Sequence, residues 1–132
     1  MKLTVLAPHR IVLDGLEVSS VVAEGLEGSF GVLPRHVDYA AVLRPGIVTF
    51  LDPEGEEGFV GTDRGILVKR GPDVSVSVRD AIRGASLETL RGEVASRFLE
   101  VDERERQARS ALATLEARFL RRFMEQARRA AG

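Results

Sequence analysis

Cysteine is absent from the 132-residue chain, which excludes disulfides, thiolate zinc sites and cysteine chemistry. No apolar run approaches the roughly 18–20 residues of a membrane-spanning helix, so direct membrane insertion is not expected. The opening stretch MKLTVLAPHR is too short and too alternating for a secretory leader. A soluble, intracellular protein is expected, which leaves docking on a membrane complex open. With a net charge of −1, the chain is not built mainly to grip nucleic acid. Only two histidines occur, His9 and His36, and neither sits in a carboxylate pattern with metal-ligand spacing, so no metal is expected. The glycine-rich residues 25–31 lack a following Gly-Lys-Ser/Thr and open no helix, so they are not a phosphate cradle. They read as a hairpin that needs positive φ at glycine. Ser29 stands in no nucleophile elbow. Asp14, Asp52, Glu54, Glu56, Glu57 and Asp63 are scattered among turn residues. Nothing here constitutes an enzyme signature, and no cofactor is implied. No internal repeat or low-complexity segment is present.

What the chain does contain changes character near Gly84. Apolar residues make up 44%, enough for a sizeable core. All five prolines and 11 of the 13 glycines fall within residues 1–84. Frequent turn residues between short apolar runs predict an all-β segment of eight to ten strands, arranged as an antiparallel β-sandwich or a barrel. In Asp73-Val74-Ser75-Val76-Ser77-Val78-Arg79 the valines face one way and the serines and Arg79 the other, as in a half-buried strand. Leu3 and Val5, then Ile11 and Leu13, mark two strands joined near Pro8. Val18, Ser20 and Val22 are expected on one face of a third. Ile47 to Leu51 and Phe59-Val60 are predicted partners around the turn Asp52-Pro53-Glu54-Gly55, and residues 66–69 lead through Gly71-Pro72 into the valine strand.

Beyond Gly84 no proline occurs, and the period becomes helical. Ser86 suits an N-cap, with Glu88 in the first turn. Leu87, Leu90, Val94, Phe98 and Val101 form an apolar stripe, continued by Ala108, Leu112, Leu115, Phe119, Phe123 and Ala127. Asp102 with Glu105 resembles a capping box. A hairpin of two helices is therefore expected, at 87–100 and 103–130, with one unbroken helix as the alternative. The expected organisation is a β head over 1–84 and a C-terminal helical tail over 85–132. Near its end the tail carries Arg118, Arg121, Arg122, Arg128 and Arg129 against Glu125, which suits an acidic protein surface.

At Gly28-Ser29-Phe30-Gly31-Val32-Leu33-Pro34-Arg35-His36 the sequence resembles the epsilon-subunit family of F-type, rotary ATP synthases. The likeness continues at Leu43-Arg44-Pro45-Gly46, at Gly65-Ile66-Leu67-Val68 and from Val74 through Ala81, in the family's order and spacing over about residues 1–84. Membership would imply a non-catalytic subunit of the central stalk. It would bind the gamma subunit and the c-ring, and couple proton- or sodium-driven rotation to ATP synthesis at the cytoplasmic face of the bacterial plasma membrane. Its helical tail would extend toward the catalytic β subunits and restrain ATP hydrolysis. By the same resemblance Glu27, Gly28, Ser29, Phe30, Gly31 and His36 would lie at the c-ring or gamma interface, and the five tail arginines would make the regulatory contacts. Ser29 stands where an acidic residue is common, Arg35 where glycine is, Asp38 where proline is, and Arg64 in place of a glycine; these departures mark a divergent branch. Some relatives bind ATP through an Asp-x-x-Arg-Ala element. Here Asp102 is followed three residues later by Glu105, with Arg106 and Arg109 near, so no strong ATP site is expected. The alternative is a free-standing β-sandwich adaptor that grips a partner through its amphipathic helices.

Overall fold

The computed structural model describes residues 1–84 and 86–131. Ten strands come first: β1 (Lys2–Ala7), β2 (Arg10–Glu17), β3 (Ser20–Gly25), β4 (Gly28–Val32), β5 (Tyr39–Leu43), β6 (Gly46–Leu51), β7 (Glu57–Thr62), β8 (Gly65–Arg70), β9 (Asp73–Val78) and β10 (Ala81–Gly84). Helix follows as α1 (Leu87–Val94), a π-helical turn (Ala95–Leu99) and α2 (Glu100–Ala131). The chain divides into two compact units, Met1–Leu99 and a second beginning at Glu100.

In the first unit the strands pair in the order β10-β7-β6-β3-β5-β8-β9-β1-β2, with β4 added on β3. The path curls round until β10 meets β1 and β2 again. There the Arg10 guanidinium donates to the Ala81 carbonyl and lies 3.5 Å from the Asp80 carboxylate. Inside are Leu3, Val5, Val21, Val32, Leu43, Val48, Val60, Leu67, Val74 and Val76, all essentially without solvent contact. Most are β-branched residues or leucine, which pack well on a pleated surface. The valine strand behaves as its alternation dictates: Val74, Val76 and Val78 are buried and Ser77 and Arg79 exposed.

The all-antiparallel expectation needs one correction. β1 runs parallel to β9, with Leu3 opposite Val74 and Val5 opposite Val76. Sixty-odd residues separate these strands in sequence, so no hairpin forces them antiparallel. The third strand also differs in phase. Val18 is buried but precedes β3, and within β3 it is Val21 and Ala23 that point inward while Val22 is exposed. The backbone N–H groups of Val18 and Ser19 bond to the carbonyls of Met1 and Leu51, a local turn that resets the alternation. The β6–β7 and β8–β9 hairpins follow the sequence reading, with Val48 opposite Val60 and Leu67 opposite Val76.

The helical region departs from the expected two-helix hairpin. Val101, Asp102 and Glu103 are helical, and helical states continue without interruption from 87 to 131. Asp102 does not cap a new helix. Its carboxylate accepts from Arg106 at 3.1 Å, an i,i+4 pair that supports the turn it sits in. No glycine or proline occurs between Gly92 and the end of α2 to break it. Ser86 does occupy the N-cap position, extended at φ −128°, without a side-chain capping bond.

Leu90, Val94 and Phe98 are buried, and α1 packs on β6, β7 and β10. Two glycines make the seat. A Cβ on Gly61 would lie 2.7 Å from Val94 Cγ2, and one on Gly84 2.5 Å from Leu90 Cγ. The Arg97 guanidinium adds a 3.3 Å bond to Asp80.

Candidate interaction surfaces

The β3–β4 hairpin is closed by Leu26 and Glu27 between the paired Gly25 and Gly28. Gly28 has φ +128°, a conformation that disfavours any side chain. Leu26, Glu27, Gly28, Ser29 and Gly31 are exposed. Phe30 is different: it is half-buried against the core edge and meets Tyr39 edge-to-face at 6.2 Å. Burial pushes the Tyr39 phenol above its ordinary value.

His36 lies in the connection between β4 and β5, exposed to solvent. Its backbone N–H donates to the Leu33 carbonyl at 3.1 Å, and the Leu33 N–H donates to His36 Nδ1 at 3.3 Å. An Nδ1 that accepts leaves the ring proton on Nε2. Phe30, Gly31, Arg35, His36, Val37 and Tyr39 together line a shallow, open recess. The structure thus brings the hairpin's Phe30 and Gly31 beside His36.

An outward patch on the sheet was not singled out from sequence. Val42 faces Ile66 and Ala40 faces Val68 across β5 and β8, and Val42, Ile66 and Val68 are exposed. The available signal was Ile66-Leu67-Val68, an apolar run without alternation, which marks a strand apolar on both faces. Such contiguous patches are typical of interaction surfaces.

In the second unit, Leu112, Leu115, Phe119, Leu120, Phe123 and Met124 are all exposed, Phe119 by 73%. Arg118, Arg122 and Arg129 follow one another at helical spacings along one border of this stripe, and Arg121 and Arg128 lie on the opposite face. All five are exposed. The stripe therefore splits: Leu90, Val94 and Phe98 are buried, and the members from Ala108 onward face solvent. Among the described residues no helix is long and apolar enough to cross a membrane, and no group of three histidine or acidic side chains is placed to hold a metal ion.

Residues 1–84 match the family model described as ATP synthase, delta/epsilon chain, beta-sandwich domain. The head is thus a delta/epsilon-type β-sandwich. Two relatives align with the whole chain. The ATP synthase epsilon chain 2 of Cereibacter sphaeroides is 33% identical over 133 residues, covering 91% of that protein. The ATP synthase epsilon chain 2 of Paraburkholderia xenovorans is 27% identical, with 96% of that protein covered. The chain belongs to the ATP synthase epsilon chain family. A chain in the Euglena gracilis mitochondrial ATP synthase structure (OSCP/F1/c-ring, rotational state 1) has the same fold. The TM-score is 0.61 at 21% identity, over 70% of this chain and 59% of that one.

Proposed function

We propose that this chain works as the epsilon subunit of the central stalk of a rotary ATP synthase, held between the gamma subunit and the c-ring. In that role it makes and breaks no bonds; it is turned, and passes ion-driven rotation of the ring to the catalytic head. Residues 1–84 form the torque-bearing head, and residues 85–132 the regulatory tail. A head of this kind must resist deformation, and a close-packed core inside a sheet that returns on itself supplies that stiffness. The hairpin around Glu27 with Gly28, Ser29, Phe30 and Gly31, together with His36, meets the c-ring. The outward patch of Val42, Ile66 and Val68 suits the gamma subunit.

The observation that carries the regulatory part is the solvent-facing stripe from Leu112 to Met124 on α2. An amphipathic helix with one apolar face docks in a groove of another protein. Its arginines Arg118, Arg121, Arg122, Arg128 and Arg129 then meet acidic side chains of a catalytic β subunit through charge-assisted bonds. Docked in that way the tail restrains ATP hydrolysis. A second arrangement, with the helical region folded into a hairpin, withdraws the stripe, and a few kcal/mol of differential binding suffices to switch between the two. The subunit sits peripherally at the cytoplasmic face of a bacterial plasma membrane, carried there by its partners.

The test is purification of the affinity-tagged chain from its own cells, followed by mass spectrometry. Gamma and the c subunit are expected in stoichiometric amount. A chain that purifies alone, or with one unrelated protein, would instead be a free-standing adaptor using α2 as its hook.

A further inference from the structure

Lys69 is one of the least solvent-accessible residues of the head, at 2% exposure, and it carries a charge. It follows Leu67 on the inward face of β8, where the alternation calls for an apolar residue. Its Nζ donates to two backbone carbonyls, that of His36 at 2.6 Å and that of Gly71 at 2.9 Å. The Gly71 N–H in turn donates to the Asp38 carboxylate at 2.7 Å. The 33–38 connection and the β8–β9 turn are therefore tied at two points, by bonds that each involve an ionised group. Such bonds are stronger and shorter than neutral ones. A buried ammonium is costly to desolvate unless its donors are satisfied. Here the acceptors are carbonyls of the very segments being joined, so the cost of leaving them apart falls on the loop.

We infer that Lys69 is a positioning residue for the His36 end of the head: its buried ammonium clasps the 33–38 connection to the β8–β9 turn and fixes the shape presented to a partner. His36 is held by its own carbonyl, and its ring accepts from Leu33 within the same connection. Lys69 thus acts through His36 and touches no partner itself. That the partner is the rotor rests on the function proposed above; the clasp does not.

The chain has no cysteine, so a single one can be modified cleanly. In full-length Lys69→Cys, unfolded for modification and refolded, S-aminoethylation restores an ammonium of nearly lysine length, whereas S-propylation restores bulk without charge. Hydrogen exchange reads the result at the Leu33, His36 and Gly71 amides, with the Val74 and Val76 amides as fold controls. Expected is at least tenfold faster exchange at the three loop amides in Lys69→Cys and in Lys69→Met, reversed in Lys69→Cys by aminoethylation and not by propylation. Equal recovery with both reagents, or slow exchange in Lys69→Met, would overturn the clasp. Collapse of the control amides in both variants would overturn it too, by making Lys69 a residue of the fold as a whole. A binding arm uses purified gamma with the c-ring and expects at least tenfold weaker binding in Lys69→Met and in Lys69→Cys, restored in Lys69→Cys by aminoethylation and not by propylation. Unchanged binding despite loosened loop amides overturns the role at the interface. Failure of the unmodified chain to bind overturns the stalk function instead, leaving the exchange result to decide the clasp.

Discussion

Gly61 and Gly84 line the seat of α1, and Gly92 lies on the helix that occupies it. Nothing stands within 4 Å of a Cβ built on Gly92. Gly92→Ala is therefore expected to raise stability by about 1 kcal/mol, because alanine favours the helix more than glycine does. Gly61→Ala places its methyl against Val94 and is expected to cost about 1–3 kcal/mol, the usual range for overpacking. Urea denaturation of the two variants checks both signs at once. Tyr39 supplies a pH prediction. Its phenol is raised by burial, so the folded state favours the neutral form. That share of stability is present below the unfolded value of about 10 and is lost as pH climbs through the raised folded value. Tyr39→Phe should lose less stability over that alkaline limb, as denaturant midpoints across it will register.

At the scale of elements, the stripe of α2 contributes little to holding the chain together while exposed. Leu115→Glu with Phe119→Glu is expected to leave the thermal midpoint of the isolated protein within about 5 °C, since each surface change costs within about 0.5 kcal/mol. The same pair should abolish restraint of hydrolysis in the assembled enzyme. Strands were legible where alternation ran unbroken, as in Val74-Ser75-Val76-Ser77-Val78. They were misphased where a turn intervened, as at Val18 and Ser19, because a period of two carries no memory across a bend. The single helical run was harder to read. Asp102 has the same residue type and spacing whether it caps a helix or pairs with Arg106, and only the backbone conformation distinguishes them. Lys69 was not legible as a core residue, since its acceptors are carbonyls that sequence does not display. Phe30, Gly31 and His36 were singled out through the family resemblance alone, and the half-burial of Phe30 against Tyr39 was not legible in the sequence.

For the whole molecule, the boundaries of the compact units make truncation informative. A chain ending at Leu99 keeps Leu90, Val94 and Phe98 in their seat; one ending at Gly84 leaves it empty. Both should fold. The shorter is expected to be less stable by about 3 kcal/mol or more, given roughly 1.5–3 kcal/mol for burying each large apolar side chain. Calorimetry of the two fragments tests this. Reassembled with their partners, both are expected to raise ATP hydrolysis, and unchanged rates would remove the inhibitory role without touching the stalk role.

The parallel pairing of β1 with β9 has a bearing on synthesis. As the polypeptide leaves the ribosome, β1 and β2 can zip together early, but the other edge of β1 waits for β9, more than sixty residues later. Until then that edge is open to strangers as well as to its rightful neighbour. Since distant pairings are also the slow ones, the nascent chain spends its most vulnerable interval with its first strand half-clothed, and trigger-type holding factors have their clearest opportunity in that window.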